Sequence, residues 1–140
     1  MIQSDQKKQP VKEVKKPRPF FLELFCIFSF IFFGMIGFLF LISVFYSGWI
    51  ADVVNQYVLH GIFSKIQILM ITIGGFLLHA IAFAGVIQIW NLKRPGYYLF
   101  AISSLIIALY LLFNHTIPFS YTLLYVALII LFGLFYVKFR

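Results

Sequence analysis

Four long apolar runs divide this 140-residue chain, and ten of its eleven Lys and Arg residues fall on one side of them. About 20 consecutive apolar residues are needed to cross a bilayer as a helix. The runs, at about 20–46, 66–90, 97–113 and 119–136, approach or exceed that length. The composition agrees, with 63% hydrophobic and 11% charged residues against roughly 25% charged in soluble domains. The expected fold is an all-α membrane protein of four transmembrane helices in an antiparallel bundle.

Charge gives the orientation. Lys7, Lys8, Lys12, Lys15, Lys16 and Arg18 precede the first run, Lys93 and Arg94 separate the second and third, and Lys138 and Arg140 follow the fourth. Only Lys65 lies opposite. Cytoplasmic loops concentrate Lys and Arg, so both termini should be cytoplasmic, as an even number of spans also requires. The pI near 9.7 therefore reflects topology. No basic folded face suggests nucleic acid as a partner.

Residues 1–19 read as a basic, flexible cytoplasmic tail broken by Pro10, Pro17 and Pro19, and residues 20–140 as the membrane domain. Pro19 suits the first turn of the helix that follows. The first apolar stretch is too long for a signal-peptide core and lacks a small-residue cleavage site. Trp49, Trp90, Tyr97, Tyr98, Tyr121 and Tyr136 lie near span ends, as an aromatic belt would. Between the first two spans, about 49–62, Ile50, Val54, Tyr57 and Val58 share one helical face and Asp52, Asn55 and Gln56 the other. This segment is expected to be a short amphipathic helix on the outer surface.

Small residues allow helices to approach closely in lipid. Cys26, Ser29, Gly34 and Gly37 mark such a face on the first span, and Thr72, Gly75, His79, Ala82 and Val86 on the second. Ala101, Ser104 and Ala108 mark the third, and Thr122, Val126, Ile129 and Gly133 the fourth. These stripes should pack inward and leave Phe, Leu and Ile toward lipid.

His79 lies near the middle of the second span, where ionisable groups are costly and point to function. It could relay protons, hold a polar ligand or ligate a metal. The structural alternative is a neutral ring bonded to a hydroxyl on a neighbouring span, with Ser103, Ser104 or Ser29 as partner. His79, Thr72, Ser103 and Ser104 thus form a possible intramembrane polar site. A proton path would need a carboxylate partner, and bis-His haem ligation a second His at depth; neither is present.

Asp52, Gln56 and His60 follow one helical edge on the same side as His115, but the spacing matches no metal motif. Cys26 is the single cysteine, which excludes an intramolecular disulfide and dithiol redox chemistry. No phosphate loop, carboxylate pair, nucleophile elbow or zinc motif is found. Neither an enzymatic activity nor a cofactor is expected. Lys12, Lys15, Lys16 and Arg18 form a juxtamembrane cluster suited to anionic lipid. Asn114-His115-Thr116 fits a glycosylation sequon, but the connection is too short and too close to the membrane for a glycan.

RPFFLELFCIFSFIFFG, residues 18–34, and NLKRPGYYLF, residues 91–100, resemble segments of a group of uncharacterised small four-span inner-membrane proteins of Gram-negative bacteria. The resemblance implies the four-span architecture and an inner-membrane location, and carries over no catalytic residue. Small multidrug-resistance transporters also have four short spans but rely on a carboxylate well inside the first. Here the only candidate, Glu23, is in the first turn. The expected function is that of an accessory or interaction subunit with membrane lipids, a membrane-protein partner or a second copy as its contacts. The alternative is a small transporter or channel using His79.

Overall fold

The computed structural model describes residues 19–57, 64–113 and 119–139. Every element among them is helical: α1 Phe20–Phe45, α2 Ser47–Tyr57, α3 Lys65–Trp90, α4 Arg94–Phe113, α5 Phe119–Leu134 and a closing 3-10 turn, Tyr136–Lys138. The basic cluster Lys12, Lys15, Lys16 and Arg18 lies outside the described residues, as do His60, Asn114 and His115.

α1, α3 and α4 are long and apolar enough to cross a membrane, the mark of a membrane protein. α1 and α3, at 26 residues each, are about 39 Å long at a rise of 1.5 Å per residue. α5 has only 16 residues, about 24 Å, less than the roughly 30 Å hydrocarbon thickness. The fourth apolar run was expected to stay helical to 136. Instead the chain tightens at Phe135 and continues as the 3-10 turn, which adds about 6 Å.

The helix ends follow local chemistry. Ser64 opens α3 with a capping box: its hydroxyl accepts from the Gln67 N–H at 3.2 Å, and the Gln67 side chain accepts from the Ser64 N–H at 2.8 Å. Two of the orphan donors of a helix start are thereby satisfied. At the other end of α3, Lys93 N–H donates to Gln88 O at 2.9 Å and Leu92 N–H to Ile89 O at 2.8 Å. This is a Schellman turn, with Leu92 at φ 58° where glycine usually sits. The turn is so tight that α4 begins at Arg94, three residues before the expected boundary.

α3 is the central element, packed on α1, α2 and α4, with α5 against α4. The α3–α4 approach is backbone to backbone. A Cβ on Gly85 would lie 2.7 Å from Phe100 N and 2.9 Å from Gly96 O, and one on Gly96 would strike Gln88 Cβ and lie 2.7 Å from Gly85 O. Only two hydrogen side chains fit that crossing. α1 approaches α3 through Gly37, where a Cβ would lie 3.8 Å from His79 Cβ. α1 meets α5 and the residue just after it through rings instead: Phe32 to Tyr125 at 5.7 Å, Phe33 to Tyr125 at 5.8 Å and Phe25 to Phe135 at 6.3 Å.

The expected inward stripes hold for α3 and in part for α1, α4 and α5, where Val126 is the residue that departs. Cys26, Ser29, Thr72, His79, Ala82, Val86, Ser104 and Ala108 are buried. Val126 is 37% exposed, whereas Tyr125, Leu128 and Phe132 join Thr122 on the buried face. The expectation that Phe faces outward is also corrected, since Phe33, Phe100 and Phe132 are fully enclosed. Helices held apart by the wider seam need long side chains to touch, so small residues cannot line it. In lipid such rings gain from packing rather than from leaving water. Phe28, Met35, Phe38, Ile81 and Ile102 do face outward.

α2 starts two residues earlier than expected, directly after the Tyr46 turn, and is described to Tyr57; residues 58–62 of the expected segment lie outside the described residues. Ile50 and Val53 are half-buried, while Trp49 and Tyr57 are exposed. Tyr57, seven residues after Ile50 and so on the same helical face, is exposed at the end of α2. Asp52 meets Lys65 at 3.1 Å, tying α2 to the start of α3 on an exposed surface.

Candidate functional site

The crossing at Gly85 and Gly96 fixes α4 against one end of α3, and α5 follows α4. This geometry brings Tyr125 across the bundle to His79. The Tyr125 hydroxyl lies 2.9 Å from Nε2, and Nδ1 lies 2.7 Å from the carbonyl oxygen of Gly75. A carbonyl only accepts, so Nδ1 carries the hydrogen of the neutral ring. Nε2 then offers its lone pair and the Tyr125 O–H donates to it. His79 and Tyr125 are 3% and 4% exposed, and both ring nitrogens are satisfied within the protein.

Aromatic rings hold the imidazole. Phe40 lies 5.2 Å from it by centroid and Phe33 5.8 Å. Phe33 in turn packs edge-on against Phe100 at 5.5 Å, and Phe100 against Phe132 at 4.9 Å. The polar pair thus sits inside an aromatic core that extends to α1, α3, α4 and α5.

Above this pair a partly open cavity of about 530 Å³ is enclosed by α1, α3, α4 and α5. Its walls are aliphatic and aromatic, with Ile36, Phe40, Ile71, Leu78, Ile107 and Leu111 among them. His79 and Tyr125 line its floor, while Tyr110 and Tyr121, about half exposed, lie on its open side. Ligand pockets commonly measure about 300–1,000 Å³ and are mostly apolar with few polar groups.

The expected polar site of His79, Thr72, Ser103 and Ser104 is not assembled. Thr72 Oγ1 donates to Ile68 O at 2.8 Å, and Ser103 Oγ to Leu99 O at 2.7 Å, both one turn back on their own helices. This back-bonding is the usual way for a hydroxyl to be satisfied inside a helix. Ser29 and Ser104 are buried with no hydrogen-bond partner. None of the three expected serines serves His79; the partner is Tyr125. A tyrosine six residues into an apolar run carries a hydroxyl that needs a partner at depth, and that signal would have found it.

Among the described residues no group of three His, Cys, Asp or Glu side chains could hold a metal ion. Asp52 is engaged by Lys65, while His60 and His115 lie outside the described residues.

At the far end of the bundle a second polar cluster ties down the closing turn. Arg94 Nε donates to Phe139 O at 3.1 Å, its guanidinium lies 5.9 Å from the centre of the Tyr136 ring, and the Tyr98 and Tyr136 hydroxyls are 2.6 Å apart. Phe139 is 2% exposed. Tyr97 and Tyr136, placed in the aromatic belt by sequence, pack against the core here; Trp49, Tyr98 and Tyr121 remain exposed.

The chain matches no protein-family model, no curated protein and no solved structure.

Proposed function

We propose that this chain is a four-span, antiparallel integral membrane protein of a bacterial inner membrane, with both termini cytoplasmic, that acts as a non-enzymatic accessory or interaction subunit. One observation carries this reading: His79, the only histidine among the described residues, spends both ring nitrogens on the fold itself, one on Gly75 O and one on Tyr125. A buried polar pair of this kind specifies which helices meet. The outward faces, apolar along α1, α3 and α4, suit lipid or another membrane helix. The ten-to-one distribution of basic residues supports the orientation. α5 and its 3-10 turn together reach about 30 Å, enough for a fourth crossing.

Extraction in a gentle detergent and affinity purification test the proposal. A stoichiometric membrane partner or a homo-oligomer is the expected result. A clean monomer across several native-like lipid compositions would count against it.

Transport through His79 is the second reading, favoured by the cavity that reaches the imidazole. It requires His79→Ala to abolish a pH-dependent flux in proteoliposomes while the protein stays folded. Unchanged flux would remove it.

A further inference from the structure

We propose that the cavity above His79 and Tyr125 is a binding site for one linear acyl chain of a bilayer lipid, an inference independent of the accessory-subunit reading. The chemistry of the walls favours an apolar guest. Ile36, Ile71, Leu78, Ile107 and Leu111 offer no hydrogen bonds. The two polar side chains of the floor are committed to each other and to Gly75. Water needs two to four polar partners to occupy such a space, and here it finds almost none.

A helix is too large to enter. Two turns of helix, about 11 Å long and at least 10 Å across, occupy roughly 850 Å³. The cavity holds about 530 Å³. At roughly 30 Å³ for a water-sized group, a similar figure serving for a methylene, it accepts about 18 such groups, the scale of one long acyl chain.

The open side fits the same guest. Ile106, a lining residue that is 46% exposed, presents apolar surface there, so a chain enters from hydrocarbon without crossing water. Tyr110 and Tyr121 carry hydroxyls at that side, where an ester carbonyl of the lipid can accept a hydrogen bond. Gly74 contributes to the wall with nothing within 4 Å of where its Cβ would be, so the void begins at the backbone.

The test uses the full chain in nanodiscs of phosphatidylethanolamine and phosphatidylglycerol. The probe is a phosphatidylethanolamine carrying a diazirine at the end of one acyl chain, with diazirine-palmitic acid in a parallel arm. Saturable labelling by the phospholipid, at one site per chain and mapping to Ile71, Leu78, Ile107 or Leu111, is expected. Gly74→Leu and Ile106→Trp, which fill the void from its α3 and α4 walls, should each lower that labelling at least tenfold. Gly48→Ala, on α2 and outside the cavity lining, should leave it within twofold. Labelling that does not saturate and spreads over outward residues such as Met35 and Phe38 would overturn the proposal. So would filled variants that label like the unaltered chain, or labelling by palmitic acid alone, which would assign a free single-chain guest instead. The labelling map of the unaltered chain decides the question even if a filled variant fails to fold.

Discussion

Tyr125→Phe removes one oxygen atom and tests the central polar pair directly. The substitution keeps the ring contacts with Phe32 at 5.7 Å and Phe33 at 5.8 Å, so packing is conserved. What is lost is the hydroxyl donor 2.9 Å from His79 Nε2, between side chains 3% and 4% exposed. Interhelical hydrogen bonds in membranes average about 0.6 kcal/mol and reach about 1.7. A buried acceptor left unpaired costs about 1–3 kcal/mol. The short distance and the dry surroundings put Tyr125→Phe in the overlap, at about 1–2 kcal/mol. His79→Leu orphans the tyrosine hydroxyl in turn and should cost a similar amount or more. The double variant leaves no polar atom unpaired and should cost less than the sum of the singles by about 1 kcal/mol. Reversible unfolding in mixed micelles, titrated with denaturing detergent, supplies the four free energies of the cycle. Strict additivity, or a neutral Tyr125→Phe, would refute a hydrogen bond that joins α3 to α5.

Gly85→Ala and Gly96→Ala each drive a methyl into backbone 2.7 Å away and should lose about 1–3 kcal/mol in the same unfolding assay; Gly74→Ala, with open space around it, should gain up to about 1 kcal/mol from helix propensity. Ser64→Ala breaks the capping box at the start of α3 and should cost about 1 kcal/mol, with the first turn of α3 showing faster amide exchange. Asp52→Asn removes an ion pair whose partners are 66% and 64% exposed, so any loss should stay within about 0.5 kcal/mol and shrink further in salt.

Periodicity and composition alone place the long helices, because a bilayer-length apolar run has few other structures open to it. The α1 and α3 boundaries agree with that reading to within one residue. The start of α4 was less legible, since the Schellman turn places Leu92 at a positive φ that its residue type does not announce. His79 stands out in the sequence as a polar group at depth, but its partner does not. Small-residue spacing on the fourth run pointed to Val126, while the wide α1–α5 seam selects the large neighbour Tyr125. Seam width is a property of the assembled bundle. The same holds for the Gly85–Gly96 contact, because neither glycine reveals in the sequence that the other lies opposite.

The His79–Tyr125 bond spans 46 residues of chain, and this separation has a consequence for biogenesis. At about 5–20 residues per second, a ribosome needs roughly 2–9 s to reach Tyr125 after His79. During that interval α3 is complete but its imidazole has only the Gly75 carbonyl as a partner. Until α5 is made, the nascent chain carries this polar group without its interhelical partner. A chain that stops before α5 lacks Tyr125 and leaves His79 Nε2 without that donor.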